Sequence, residues 1–396
     1  MSELTVPTLR ERLDAPSTNP FRHVPPLDGI RGLSMLLIMV GHYGTGLSDY
    51  IGTRFFGISL TIDLFFVLSG FLITSLLLEE WSRKGTINMR NFYVRRGLRL
   101  LPALYVLLGV LVLVALFTNL LPLKLTLIEA VAAGLYVYPV VLILRPANVF
   151  LFHLWTLSVE EWFYFIWPAL LAFGGLRPGT ARRLRMVVGG LVAFVTLCAV
   201  LRIHGGTDPL TRLMISFRPD SLFYGALLAI FLRKWPDWRT PLRERILVVL
   251  GFAASLGYVY FTLVAVFPRE PGLTTAQFHD SAFGSWNYQL GIWCATLLVL
   301  HVTTRQASLP ARFLSFRPWT EVGLLSYGLY LWHQPIFLLA NEHWYQHHRD
   351  SMSPWLFGFG IGVLAFAAAI TSRRLVEIPA LRLKKRFEVV HYENKR

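Results

Sequence analysis

The sequence predicts an all-α polytopic membrane protein with about ten transmembrane helices and one re-entrant or short segment. Three observations carry that prediction. Of the 396 residues, 54% are hydrophobic and only 15% charged, where a soluble domain carries about 25% charged residues. The mean hydropathy is +0.51, more apolar surface than one globular core can hide, so lipid is the solvent that accepts it. The net charge of +15 comes from 38 Lys and Arg against 23 Asp and Glu. These basic residues lie in short clusters between apolar runs, the pattern of positive-inside topology rather than of nucleic-acid binding. The two cysteines, Cys198 and Cys294, sit inside apolar runs and give neither a disulfide framework nor a metal spacing.

Taken in order, residues 1–26 read as a cytoplasmic tail, kept from long helix by Pro16, Pro20, Pro25 and Pro26. No cleavable signal peptide is expected. A transmembrane domain over 27–372 follows. Its apolar segments lie at 29–47, 57–79, 98–118, 125–144, 155–173, 186–201, 213–232, 246–267, 286–303, 321–340 and 355–372. The loop at 80–99 holds Arg83, Lys84, Arg90, Arg95, Arg96 and Arg99 and belongs inside. The stretches 174–185, 233–245, 304–319 and the basic tail 373–396 also belong inside. Eleven full crossings would put 174–185 outside. Parity returns if 125–144, which carries Glu129, Gly134 and Pro139, fails to cross. Both termini are then cytoplasmic, and a shielded cavity is expected near that segment.

Ionisable residues inside a bilayer are costly and usually face a cavity. Arg31 falls at the inner end of the first span, and His42 about 16 Å further along it at 1.5 Å per residue. His42, Asp63, Glu160, Glu161, Asp220 and His333 fall in the outer half, and Arg31, Arg95, Arg96 and Arg99 on the inner side. Inner arginines suit an anionic ligand from the cytoplasm. An outer imidazole suits proton abstraction or acyl transfer, with a carboxylate beside it to hold one tautomer. Each has a plainer reading. His42 can be a helix-packing residue, and the arginine cluster a topology signal. Asp63 can pair with Arg54 or Arg218, only one of Glu160 and Glu161 need face a cavity, and His333 can be interfacial beside Trp332. His343, His347 and His348 read as a solvated loop, and no metal site is expected.

Six segments carry a resemblance: "LDGIRGLSMLLIMVGH" at 27–42, "TIDLFFVLSGFLIT" at 61–74, "FYVRRGLRLLPALY" at 92–105, "HLWTLSVEEWFYFIWP" at 153–168, "FRPDSLFYGALLA" at 217–229 and "LSYGLYLWHQPI" at 325–336. In this order and spacing the chain resembles the acyltransferase 3 family of membrane O-acyltransferases. The resemblance implies an acyl-coenzyme A donor, commonly acetyl-CoA, with no tightly bound cofactor. It implies a hydroxyl acceptor on a sugar, glycolipid or macrolide. His42 is implied as the catalytic residue and Glu160 as functionally important; from the residues themselves, Glu160 or Glu161 and Asp63 are the candidates to orient and charge-balance His42. Arg31, Arg95, Arg96 and Arg99 are the expected donor-binding residues, and Trp155, Tyr164, Asp220, Tyr330 and His333 the expected acceptor-binding set. Many relatives carry an extracytoplasmic hydrolase-like domain after the last span; only 373–396 follow it here, so the compact form is expected. The competing class is a proton-coupled transporter or exporter using the same buried His, Asp and Glu residues, against which stands the lack of internal repeats. Oligomeric state, acyl length and acceptor stay open.

Overall fold

The computed structural model describes residues 24–51, 57–144, 150–175, 181–204, 217–235, 238, 240–260, 282–348, 350–384 and 387. The expected N-terminal tail up to residue 23, Arg54 and the end of the C-terminal tail lie outside them. Every regular element among the described residues is helical. The long ones are α1 (Pro25–Ile51), α2 (Gly57–Lys84) and α3 (Met89–Phe117). Two short helices follow, α4 (Leu123–Gly134) and α5 (Tyr138–Leu144). Then come α6 (Trp155–Ala169), α7 (Ala181–His204), α8 (Asp220–Lys234), α9 (Pro241–Val259) and α10 (Ala282–Thr304). The chain continues through α11 (Leu309–Leu314), α12 (Arg317–Ala340), α13 (Pro354–Ser372) and α14 (Ile378–Lys384).

Among the described residues, four helical stretches, Thr61–Lys84, Met89–Phe117, Arg182–His204 and Pro354–Leu383, are long and apolar enough to cross a membrane, against the ten or so that the sequence predicts, and the protein is a membrane protein. The two helices that carry the site, α1 and α12, are not among the four. Arg31 on α1 and the buried His333 and Gln334 on α12, with His42, lower their hydropathy.

The segment at 125–144 is not one helix. It breaks at Tyr136, whose φ of 57° is left-handed, a conformation a bulky side chain adopts only when its surroundings impose it. The halves, of 12 and 7 residues, reach about 18 and 10 Å at 1.5 Å per residue. Neither alone covers a hydrocarbon core of about 30 Å. Glu129 holds the fold-back together. Its carboxylate accepts Tyr138 Oη at 2.9 Å, Leu151 N at 2.8 Å and Phe150 N at 3.3 Å. A buried carboxylate with three donors is satisfied, and here it ties α4, α5 and the turn before α6 into one unit.

The stretch at 80–99 is not a loop. α2 runs on through Glu79 and Glu80 to Lys84, and Asn88 caps α3 by accepting Asn91 N at 2.9 Å. Arg95, Arg96 and Arg99 therefore stand on the first turns of a helix, where their directions are fixed. The start of the expected C-terminal tail is also ordered. A π-helical turn at Arg373–Glu377 leads into α14, which packs back on α3.

Two close helix crossings set the core. Along α1 and α12, a Cβ on Gly32 would lie 1.9 Å from Trp319 O, and one on Gly323 2.0 Å from Asp28 O. Along α2 and α8, a Cβ on Gly70 would lie 1.8 Å from Leu222 O, and one on Gly225 1.9 Å from Val67 O. Only glycine lets backbones approach so closely, and small residues drive such packing in membranes, where lipid competes equally for apolar side chains.

Candidate functional site

Arg31, Ile38 and His42 are spaced i, i+7, i+11 along α1. Eleven residues are close to three turns of a helix, so all three share one face. That face meets α12, α2, α3 and α6 around a cavity with an empty volume of about 710 Å³, counting the part open to solvent. One end of it carries Arg31, Arg96, Arg99, Glu160 and Tyr164, its flank Phe65, Phe66 and Ile62, and its far end Ile38, Thr156 and Tyr330.

The arginine end is an unusual electrostatic environment. Arg96 is matched: its guanidinium lies 3.0 Å from Glu161 and 3.3 Å over the Tyr164 ring, a favourable stack for a partly desolvated cation. Glu160 accepts Ser69 Oγ at 2.7 Å. Arg31 and Arg99 differ. Among the described residues neither has a carboxylate at ion-pair distance, and Arg99 is repelled by both Arg31 and Arg96. Guanidinium groups gathered in a low-dielectric cavity without full compensation attract an anion.

One turn beyond the far end stands a pair of histidines. His42 is four residues past Ile38, and His333 three past Tyr330. His42 Nδ1 lies 2.9 Å from His333 Nε2, with the rings nearly parallel at 8°. His333 Nδ1 lies 2.9 Å from both Leu329 O and Tyr330 O. Carbonyls only accept, so Nδ1 of His333 carries its hydrogen. A neutral His333 then presents a lone pair at Nε2, to which His42 donates Nδ1–H. The lone pair of His42 is thereby placed on Nε2. Backbone carbonyls of α12 thus select the basic nitrogen on α1.

Sequence reasoning placed the right helices but several wrong partners. It expected a carboxylate beside His42; the structure puts His333, expected in acceptor binding, there instead. Glu160 and Glu161, expected with His42, join the arginine end because Ser69 and Arg96 are their nearest partners. Asp63 is removed from the site altogether. Its Oδ2 accepts Arg218 at 2.7 Å and its Oδ1 accepts Ser221 at 2.9 Å. Asp220, expected to bind acceptor, lies fully buried against Arg202 at 2.6 Å. Two of the carboxylates that a transporter's proton relay would use, Asp63 and Asp220, are thus held in ion pairs. Arg95, expected at the donor, reaches Glu80 at 3.1 Å and Phe387 O at 2.9 Å, away from the cavity lining. Trp155 packs edge-on against Phe66 and Phe217 and does not line the cavity. Tyr164 and Tyr330 do. His343 and His348, from the expected solvated loop, hydrogen-bond Leu120 O and Trp344 O. His153, Thr156 and Ser69 were missed. Each sat inside a quoted motif, yet a hydroxyl or a lone histidine in an apolar run gives no sign of its partner.

The Asp63–Arg218 pair makes a prediction. Asp63→Ala leaves a buried guanidinium uncompensated, and the expected cost is about 3–5 kcal/mol. It reads as a lowered unfolding midpoint in detergent. Activity per folded molecule stays within about two-fold, as for a site outside the chemistry; a large loss at full folding would return Asp63 to the catalytic set.

The profile of the acyltransferase domain family matches residues 25–374. Peptidoglycan O-acetyltransferase OatA of Listeria monocytogenes is 31% identical over 346 residues, covering 81% of this chain and 50% of the relative. O-acetyltransferase OatA of Staphylococcus aureus is 29% identical over 373 residues, covering 90% of this chain and 57% of the relative. The putative peptidoglycan O-acetyltransferase YrhL of Bacillus subtilis is 29% identical over 337 residues, at 82% and 50%. The chain thus spans about half the length of the curated relatives it matches. No solved structure matches. A family profile that covers most of the chain, including all of the helices that build the cavity and the histidine pair, settles its classification: the chain belongs to the acyltransferase 3 family.

Proposed function

We propose that the protein is a membrane-bound O-acyltransferase. It takes an acyl group, with acetyl as the leading candidate, from an acyl-CoA donor and passes it to a carbohydrate hydroxyl. Peptidoglycan sugars are the first acceptors to test, since the relatives are named for them. Both termini face the cytoplasm in this reading, and the donor enters from that side. The observation that carries it is the cavity with Arg31 and Arg99 at one end and the His42–His333 pair one helical turn past the other.

The donor's phosphates are held by Arg31 and Arg99, with Arg96 beside them, and its thioester points outward. His42 Nε2 takes the proton of the acceptor hydroxyl as that oxygen attacks the thioester carbonyl. The carbon–sulfur bond breaks, and the thiolate recovers the proton from the imidazolium. His333 stabilises the imidazolium by accepting Nδ1–H. The same nitrogen serves the alternative route, in which the acyl group rests on Nε2 before the hydroxyl attacks.

The test is incubation of the purified protein with labelled acetyl-CoA and a panel of muropeptide, sugar, glycolipid and macrolide acceptors. Transfer to one class of hydroxyl is expected, with a raised unfolding midpoint on adding CoA. Neither transfer nor CoA stabilisation would leave the reading without support and favour a transporter. Label retained on protein without acceptor distinguishes the acyl-histidine route from direct transfer.

A further inference from the structure

Among the described residues, the lining of the cavity includes Tyr330 and Thr156 but neither histidine of the pair. His333 lies three residues, about 4.5 Å, past Tyr330, and His42 four residues, about 6 Å, past Ile38 at 1.5 Å per residue. Tyr330 Oη hydrogen-bonds the backbone carbonyl of His153, and Thr156 Oγ1 lies 2.6 Å from Tyr330 Oη. The directions follow from the partners. A carbonyl cannot donate, so the single hydroxyl hydrogen of Tyr330 goes to His153 O, and Thr156 is left to donate to Tyr330 Oη at 2.6 Å or to His153 O at 3.4 Å. Both hydroxyl hydrogens are thereby taken up within the Thr156–Tyr330–His153 group. The wall is completed by the buried His153 ring, edge-on to His333 at 5.4 Å and tilted against Tyr330 at 5.2 Å. Phe152 stands edge-on to His42 at 5.6 Å.

We propose that the Thr156–Tyr330–His153 chain is a water barrier that determines whether the acyl group goes to an acceptor hydroxyl or to water. The proposal rests on the acyl-CoA reading above. A thioester in the cavity and a general base beyond it would hydrolyse if water could pass between them: water would add to the carbonyl, giving up its proton to His42, and the thiolate would leave with that proton. The hydroxyl chain fills the passage while nothing occupies its end. When the donor's carbonyl oxygen arrives, it offers an acceptor for the Thr156 hydroxyl, and the chain can exchange partners without leaving a buried hydrogen unpaired. Opening is thereby coupled to the group that is to react. The tyrosine carbonyl also accepts from His333, so the barrier and the tautomer-setting contact are on one residue.

The experiment uses the purified full chain with labelled acetyl-CoA. It compares acetate released without acceptor against ester formed with it, in the wild type, Tyr330→Phe, Thr156→Val and Thr156→Ser. Tyr330→Phe and Thr156→Val are expected to raise the ratio of hydrolysis to transfer by about ten-fold or more, since exclusion of water is what suppresses such side reactions. Thr156→Ser, which keeps the hydroxyl, should stay near the wild-type ratio. A purely structural role would lower both rates together and leave the ratio unchanged. Unfolding midpoints in detergent identify folded variants, and an unchanged ratio in either folded Tyr330→Phe or folded Thr156→Val overturns the proposal. If the wild type turns over no acetyl-CoA at all, the donor reading fails and this proposal falls with it; if it turns over but the ratio does not move, only the barrier fails.

Discussion

His42→Ala is expected to lower turnover by about 10²–10⁴-fold, the usual contribution of a positioned general base. Donor affinity should be nearly unchanged. His42 lies one turn past the cavity, and the anion contacts are about 16 Å away along α1 at 1.5 Å per residue. The signature is a fall in kcat with KM for acetyl-CoA retained, as for an interaction made only in the transition state. His333 should show a graded version. His333→Leu removes the acceptor for His42 Nδ1–H, so the ring can rotate or adopt the other tautomer. A wrong tautomer in a comparable constellation costs about 10⁴-fold. His333→Gln keeps an oxygen able to accept and should retain more activity than His333→Leu. Equal activity in the two variants would show that His333 does not set the tautomer. Turnover by His42→Ala at the wild-type rate would remove the imidazole from the mechanism.

Arg31→Gln and Arg99→Gln should act on the other half of the kinetics. Hydrogen bonds to charged groups contribute about 1.5–3 kcal/mol each, which corresponds to about a 10- to 150-fold weaker donor at 1.4 kcal/mol per decade. KM for acyl-CoA should rise by that order while kcat at saturation changes little. The same substitutions carry an opposite effect on the fold. Arg99 is repelled by Arg31 and Arg96, so deleting Arg31 relieves a like-charge contact in the ligand-free protein. Its unfolding midpoint should hold or rise as donor binding falls, the usual sign of a site held ready for its ligand at some cost in stability. Arg95→Gln is the control. It stands on Glu80 and Phe387 O, and its KM should move by less than about two-fold, as expected outside the binding site. A large KM effect at Arg95 with none at Arg99 would place the donor elsewhere.

Much of this protein is legible in the chain. The apolar runs locate the helices because a bilayer punishes any other composition. The parity of basic clusters singled out 125–144, and Glu129, one of its odd residues, proves to be the group that fastens the fold-back. The Arg31–His42 spacing is readable because eleven residues return a helix to nearly the same face. The pairing of the buried charges is less legible. Asp63 had two candidate partners, and the structure takes Arg218. Arg95, Arg96 and Arg99 look alike in sequence, yet Arg95 meets Glu80, Arg96 meets Glu161, and Arg99 meets no carboxylate at ion-pair distance among the described residues.

The sequence by itself determined the solvent in which this chain folds, its all-helical class, and the residues with chemistry to offer. Only the tertiary structure decided which of those residues meet. Helical periodicity fixes neighbours three or four residues apart, but His42 and His333 are 291 positions apart. What brings them together is the backbone contact of Gly32 with Gly323's helix, as Gly70 and Gly225 join the helices of Asp63 and Ser221. A glycine in the chain marks a place where a backbone can approach, not which backbone will, and on that choice depend the partner of each buried charge and the nitrogen of His42 that carries the lone pair.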